Sequence, residues 1–276
     1  MEIRFQHSAN EVKSMSSESL RQQFLFESLM KDDMKEFVYT HYDRMIVGGV
    51  KPVKRQLILE PDPELKADYF LERREMGIIN TGGKGSIRAD GVLYELEKLS
   101  CLYLGRQTMD VLFQSADPNN PALFFCLSAL AHHHYPNRLM HQEEVIPVKI
   151  GDAGSSSQRS LYKYIHAGGI PGCQLVMGLT VLEPGSVWNS VPPHTHTRRM
   201  EVYFYFDLPV EQRVFHFMGE PSQTRHLLVG NNQAVLSPPW SIHCGCGTSN
   251  YAFVWGMAGE NDTFTDMDTM PVTSLR

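Results

Sequence analysis

Pro193-His194-Thr195-His196-Thr197-Arg198-Arg199-Met200-Glu201, continued by Val202-Tyr203-Phe204-Tyr205-Phe206, is the stretch on which the reading of this chain turns. Side chains two apart on a strand share a face, so His194 and His196 point one way and Thr195 the other. They form a chelating pair. Glu201 has the wrong parity to continue that strand, but Thr197-Arg198-Arg199-Met200 reads as a polar turn into a second strand on which Glu201, Tyr203 and Tyr205 share a face. If the two faces meet, two imidazoles and a carboxylate converge, a donor set that takes zinc or a similar divalent ion and leaves a coordination position open. His243, after the turn Ser237-Pro238-Pro239-Trp240, is the candidate fourth ligand. Without that convergence, His-x-His is an ordinary exposed strand pair and Glu201 a solvated carboxylate.

Outward from this stretch the chain reads as mainly β. Residues 101–104, 123–126, 174–182, 214–218, 225–229 and 251–255 are short apolar or alternating runs bounded by Gly, Pro and Asp. Helical spacing is clearest at residues 17–30, where Ser16 and Ser17 are capping residues and Leu20, Phe24, Leu25 and Leu29 recur on one side. Gly151-Asp152-Ala153-Gly154-Ser155-Ser156-Ser157 is a flexible polar segment dividing two strand-rich halves. The expectation is a duplicated barrel, with residues 1–150 holding the N-terminal helix and a half without metal ligands, and residues 151–276 the metal-binding half.

Two other motifs carry less. Gly82-Gly83-Lys84-Gly85-Ser86 lacks the spacing and the strand-loop-helix context of a phosphate loop and reads as a turn. His132-His133-His134 cannot all face one ion on a regular element and reads as a loop. Cys244 and Cys246 face away from an inward-pointing His243, which argues against thiolate ligation.

The chain has 276 residues and a formal charge of −6 with no long basic run, which disfavours nucleic acid and anionic membrane surfaces as partners. No apolar run reaches the roughly 20 residues that span a bilayer, and the polar opening Met1-Glu2-Ile3-Arg4-Phe5 has no leader-like core. Five cysteines, an odd number, fit reduced thiols. A cytoplasmic location is expected.

The second half resembles the cupins, double-stranded β-helix (jelly-roll) barrels that hold a metal through His-x-His, a Glu a few residues on and a later His. Gly185, His194, His196, Glu201, Pro238 and His243 stand in that order. The long interval from Gly185 to His194, the lack of a glycine in the usual place after Glu201, and Pro238-Pro239-Trp240 in place of Pro-x-Gly point to one branch. Over essentially its whole length the chain resembles the 4-deoxy-L-threo-5-hexosulose-uronate ketol-isomerase family, most specifically at residues 188–206 and in Val254-Trp255-Gly256-Met257-Ala258-Gly259-Glu260-Asn261. The resemblance implies a homohexameric zinc enzyme of pectin and uronate breakdown, with one zinc per chain. Its expected reaction converts 5-dehydro-4-deoxy-D-glucuronate to 3-deoxy-D-glycero-2,5-hexodiulosonate. By that match His194, His196, Glu201 and His243 are the zinc ligands.

Moving a proton between C1 and C2 of a sugar needs a base and a stabiliser for the developing oxyanion, and a uronate carboxylate needs a cation. Glu201, Lys163 and Arg199 are the candidate catalytic groups, with no general base singled out. Arg159, Arg198, Tyr203 and Trp188 are the candidate substrate contacts. The competing readings are a cupin oxygenase or decarboxylase and a non-catalytic sugar-binding cupin.

Overall fold

The computed structural model describes residues 1–276, and its core is built between two seven-stranded sheets. The first runs in the order Glu2–Arg4, Met34–Thr40, Ile46–Lys51, Phe124–Leu130, Arg74–Asn80, Cys101–Leu104, Arg138–Met140. The second runs Val148–Ile150, Arg159–Ile165, Val176–Leu182, Ala252–Gly259, Arg199–Phe206, Gln233–Ser237, Leu25–Phe26. A smaller sheet faces each. Leu57–Ile58, Val111–Ser115, Gly85–Ala89 and Val92–Leu96 make one; Trp188–Thr195, His243–Gly247, Val214–Glu220 and Gln223–Val229, with Asp268–Thr269 at the edge, make the other. The same strand order therefore appears twice, giving two jelly-roll units from one chain.

The registers of the two units show why the donors gather in the second. Glu201 pairs with Met257 in the second unit, and the matching place in the first is Met76, paired with Ser128. Val111 opens the strand corresponding to that opened by His243, and Leu57 and Leu59 lie where the His-x-His strand would be. Leu57, Leu59, Met76 and Val111 belong to one buried apolar cluster of 18 residues. Burying these side chains stabilises the first unit by the hydrophobic effect at the place where the second gathers polar donors.

The large sheets meet across their outer faces. Phe125 of the first stacks on Phe204 of the second with centroids 4.3 Å apart, and both belong to a 45-residue cluster that spans the two units. Gly77 and Gly256 let the backbones approach: a Cβ on Gly256 would stand 2.1 Å from Leu127 Cδ1, and one on Gly77 would stand 2.6 Å from Met177 Sδ. A buried carboxylate locks the same seam. Glu75 accepts hydrogen bonds from the backbone N–H groups of Cys173, Gln174 and Leu175 at 2.7–2.8 Å and from the Tyr103 hydroxyl at 2.8 Å.

Two expectations change. The helix ends at Phe24, not Met30: Ser16 caps Ser17–Phe24, and Leu25 and Phe26 then pair with Val235 and Ala234. Their burial comes from becoming the outermost strand of the second unit's large sheet, which a helical wheel cannot distinguish from a helix face. The polar segment at 151–157 connects Val148–Ile150 to Arg159–Ile165, which pair with each other. The second unit's sheet thus takes strands from both ends of residues 1–150. His132-His133-His134 lies in a loop, as expected.

Replacing Glu75 by Ala would leave three backbone donors and one hydroxyl without an acceptor in a dry seam. The expected loss is about 3–5 kcal/mol, read as a lower urea midpoint, while bound metal per folded chain stays unchanged.

Candidate metal centre and its cavity

The turn at 196–198 brings the end of Trp188–Thr195 against the start of Arg199–Phe206, and His243 lies directly opposite His194 in the antiparallel ladder. The result is a compact donor cluster. One ligand-type atom from each of His194, His196, Glu201 and His243 lies within 4.8 Å of all the others. Glu201 Oε2 is 2.8 Å from Nε2 of both His196 and His243 and 4.0 Å from Nε2 of His194, while the Nε2 atoms of His194 and His243 are 2.9 Å apart. His196, Glu201 and His243 are buried; His194 is partly open to the cavity.

Groups behind the ligands fix the rings. His196 Nδ1 is 2.6 Å from the carbonyl oxygen of Asp266, which only accepts, so that nitrogen carries the proton and Nε2 presents a lone pair. His243 Nδ1 is 3.0 Å from Ser237 Oγ. In this tautomer a lone pair of His196 faces a carboxylate oxygen at 2.8 Å. A divalent cation among the four atoms turns that repulsion into coordination, so the donor set fits a metal ion. Three imidazoles and one carboxylate suit zinc, iron, nickel and manganese alike.

Electrostatics favours the same state. Burial, then neighbouring His243, lowers the pKa of His194 to about 2, keeping it neutral. Burial works to raise Glu201, but the imidazoles of His243 and His196 outweigh it and hold the carboxyl well below its usual range. Burial and then Glu201 push Tyr203 well above the ordinary phenol value, so its hydroxyl, 2.7 Å from Ser190 Oγ, stays protonated.

The cluster opens into a cavity of about 230 Å³ walled by Phe253, Trp255, Met257 and Phe264 and edged by Arg159, Ser190 and Tyr203. Arg159 is 8% exposed, gives one hydrogen bond, from Nη1 to the Ser157 carbonyl at 2.8 Å, and has no carboxylate within 4 Å. It also borders a neighbouring cavity of about 660 Å³, where Trp188 lies, stacked on Phe217 at 6.1 Å. Lys163, Arg198 and Arg199 line neither cavity. Lys163 Nζ stands 5.0 Å over the Phe264 ring. Arg199 is fully buried and donates to the carbonyls of Thr263, Phe264 and Asp266 at 2.6–3.2 Å. Arg198, exposed, grips the Asp266 carboxylate and holds it well below the usual carboxylate range.

These contacts expose a part of the site that sequence reasoning missed. Residues 261–269 fold as a strap over the cavity, with Asp266 orienting His196 and Phe264, Met267 and Thr269 forming wall. Asn261-Asp262-Thr263-Phe264-Thr265-Asp266 has no periodicity, and its ordering comes from two arginines more than sixty residues earlier in the chain. Cys244 and Cys246 are not among the clustered donors.

His243→Ala should lose its metal on dialysis while remaining folded, since the ion's grip depends directly on ligand number; metal analysis alongside circular dichroism checks this. Arg198→Met should raise amide exchange across 261–269 severalfold, because the strap loses the bidentate grip on Asp266 that ties it to the turn. In the native chain Asp266 has a depressed pKa, so this protection is present at neutral pH, persists at about pH 4, near the ordinary carboxyl value, and is lost only in stronger acid.

Residues 25–272 match the KduI/IolB family. A protein from Halalkalibacterium halodurans is 54% identical over the full length of both chains, and one from Lachnoclostridium phytofermentans is 50% identical, also over both full lengths. Each is named 4-deoxy-L-threo-5-hexosulose-uronate ketol-isomerase. Among solved structures, an IolB-like protein from Salmonella typhimurium LT2 superposes with a TM-score of 0.73 at 15% identity, covering 90% of this chain and 96% of its own. Lactobacillus farciminis oxalate decarboxylase gives 0.61 at 8% identity, covering 90% and 88%. At such identities these two speak for the fold alone.

Proposed function

Because this chain belongs to the KduI/IolB family, and within it to the ketol-isomerases named above, we propose that it is a zinc-dependent aldose-ketose isomerase of uronate degradation. It converts 5-dehydro-4-deoxy-D-glucuronate to 3-deoxy-D-glycero-2,5-hexodiulosonate. The observation that carries this reading is the donor cluster His194, His196, Glu201 and His243 opening into a cavity bordered by a buried arginine with no carboxylate of its own. When bound, the ion supplies Lewis-acid polarisation of the carbonyl and needs no change of redox state to do so.

The chain's own groups supply the rest. Arg159 takes the uronate carboxylate, an anion that compensates its buried charge and accepts charge-assisted hydrogen bonds. Glu201 is the only carboxylate bordering the cavity, and its Oε1 has no hydrogen-bond partner in the protein, so it is the group that moves the proton between C1 and C2. Tyr203, held protonated, donates to a sugar oxygen. Trp188 borders the wider outer cavity and guides the substrate inward. Lys163, Arg198 and Arg199 act at one remove, by holding the strap residues Phe264 and Asp266 against the site. A cytoplasmic hexamer with one zinc per chain completes the reading, supported by the resemblance and the odd cysteine count; no helix here is long and apolar enough to cross a membrane.

Turnover by the zinc-loaded protein should proceed without dioxygen or nicotinamide. In D2O, exchange of the transferred proton should leave deuterium at C1 of the product, read by NMR; activity that disappears when oxygen is excluded sinks the isomerase in favour of an oxygenase. Glu201→Gln keeps an oxygen ligand but removes the base, so kcat should fall about 10²–10⁴-fold while most of the metal is retained. Arg159→Met should instead raise KM by about tenfold or more, the cost of an anion left without its charge-assisted partner.

A further inference from the structure

The first unit has no metal cluster, yet it keeps a buried arginine at the place that Arg199 fills in the second. Arg74 opens its strand and pairs with Leu130, as Arg199 opens its own and pairs with Gly259. The surroundings then diverge. Arg199 spends both terminal nitrogens on the carbonyls of the strap that follows Ala252–Gly259. The corresponding strand, Phe124–Leu130, leads instead into the His132-His133-His134 loop, and a cavity of about 340 Å³ stands beside Arg74.

Arg74 is 4% exposed. Its Nε donates to Ser128 Oγ at 3.1 Å, and its Nη2 donates to the carbonyls of Ser128 (2.8 Å) and Arg44. Its Nη1 has no acceptor in the protein and is not among the sealed, unpartnered atoms, so it keeps contact with the cavity. No carboxylate lies within 4 Å of this guanidinium; its nearest electrostatic partner is the face of Tyr39, with Cζ 5.8 Å from the ring centroid. Burial lowers its pKa to about 10, the mark of a charge without a counterion. Arg73, on the same cavity, is tethered by the carbonyls of Leu65 and Lys66 and keeps its charge exposed. Glu64 is the one carboxylate on the rim and is exposed, and Arg73 already has Glu72 at 3.8 Å, so Arg74 is the guanidinium without an acidic partner. Phe70 and Leu130 give the rest of the wall an apolar character suited to a carbon skeleton.

We infer that this cavity is a second ligand site, in which Arg74 binds the carboxylate of a small hydroxylated organic acid, with Arg73 adding charge and Glu64 accepting a hydrogen bond from a ligand hydroxyl. The volume limits the ligand to roughly the size of one sugar acid, within the lower range of small-molecule sites. The inference does not depend on the isomerase reading, because none of its residues touches the metal centre.

The test uses the full-length, metal-loaded protein with D-glucuronate as probe and D-glucose as the neutral control, followed by ligand-observed NMR and by crystals soaked in each. Glucuronate density against Arg74 and a saturable signal absent for glucose are expected. Ala67→Trp, which fills the cavity from its half-exposed wall, should weaken that binding at least tenfold with turnover at the metal centre unchanged. Arg74→Met should do the same if it folds. Glucuronate seen only at the metal-centre cavity, or binding undiminished by Ala67→Trp, overturns the proposal. Equal binding of glucose overturns the carboxylate assignment and the proposal with it.

Discussion

Four lone-pair donors held within 4.8 Å of each other, three of them buried, set the terms for everything around them. Such a cluster repels itself unless a cation joins it, and a cation is held well only if the donors cannot drift apart. The second unit meets that condition by taking His194, Glu201 and His243 from three strands locked in register and His196 from the turn between two of them, and by fixing His196 and His243 from behind through Asp266 and Ser237. The first unit, with the same strand order, fills the corresponding space with Leu57, Leu59, Met76 and Val111 and has no such requirement. One architecture thus carries two solutions to the same interior: a dry apolar plug and a polar clamp.

The seam between units explains how the clamp stays rigid. Strand Arg199–Phe206 carries Glu201 and Tyr203 on its inner face, while Phe204 on its outer face stacks on Phe125 of the other unit. Because successive residues of a strand point to opposite faces, ligand placement and inter-unit packing are properties of a single backbone segment. Glu75, with four donors on it, restrains the loop that feeds Val176–Leu182, which reaches Arg199–Phe206 through the intervening strand Ala252–Gly259. The unit without ligands therefore serves as a backing plate for the one with them.

Local periodicity made the inner face of the site legible. The parity of His194 and His196, the break at 197–200 and the shared face of Glu201, Tyr203 and Tyr205 are short-range properties, and the strand pattern was readable for the same reason. Hidden from that reasoning was whatever depends on distant partners. Leu25 and Phe26 look like the end of a helix until Val235 and Ala234 are beside them. The strap at 261–269 has no pattern of its own, because carbonyls, which every residue carries, are what Arg199 and His196 recognise there. The arginines beside the ligands were conspicuous in the sequence, but a guanidinium's reach spans either a substrate or a neighbouring backbone, and only the fold distinguishes the two.

The strand Leu25–Phe26 also bears on the order in which the molecule is made. It is synthesised long before its hydrogen-bonding partner, Gln233–Ser237. Until then two apolar residues and an open sheet edge have no native neighbours, and the first unit, though complete in its own strands, trails an unsatisfied arm. Closure of the second unit captures that arm. Maturation of the metal centre is thereby coupled to synthesis of everything between the two strands, so a chain interrupted before Gln233–Ser237 presents a sticky intermediate and not a smaller working enzyme.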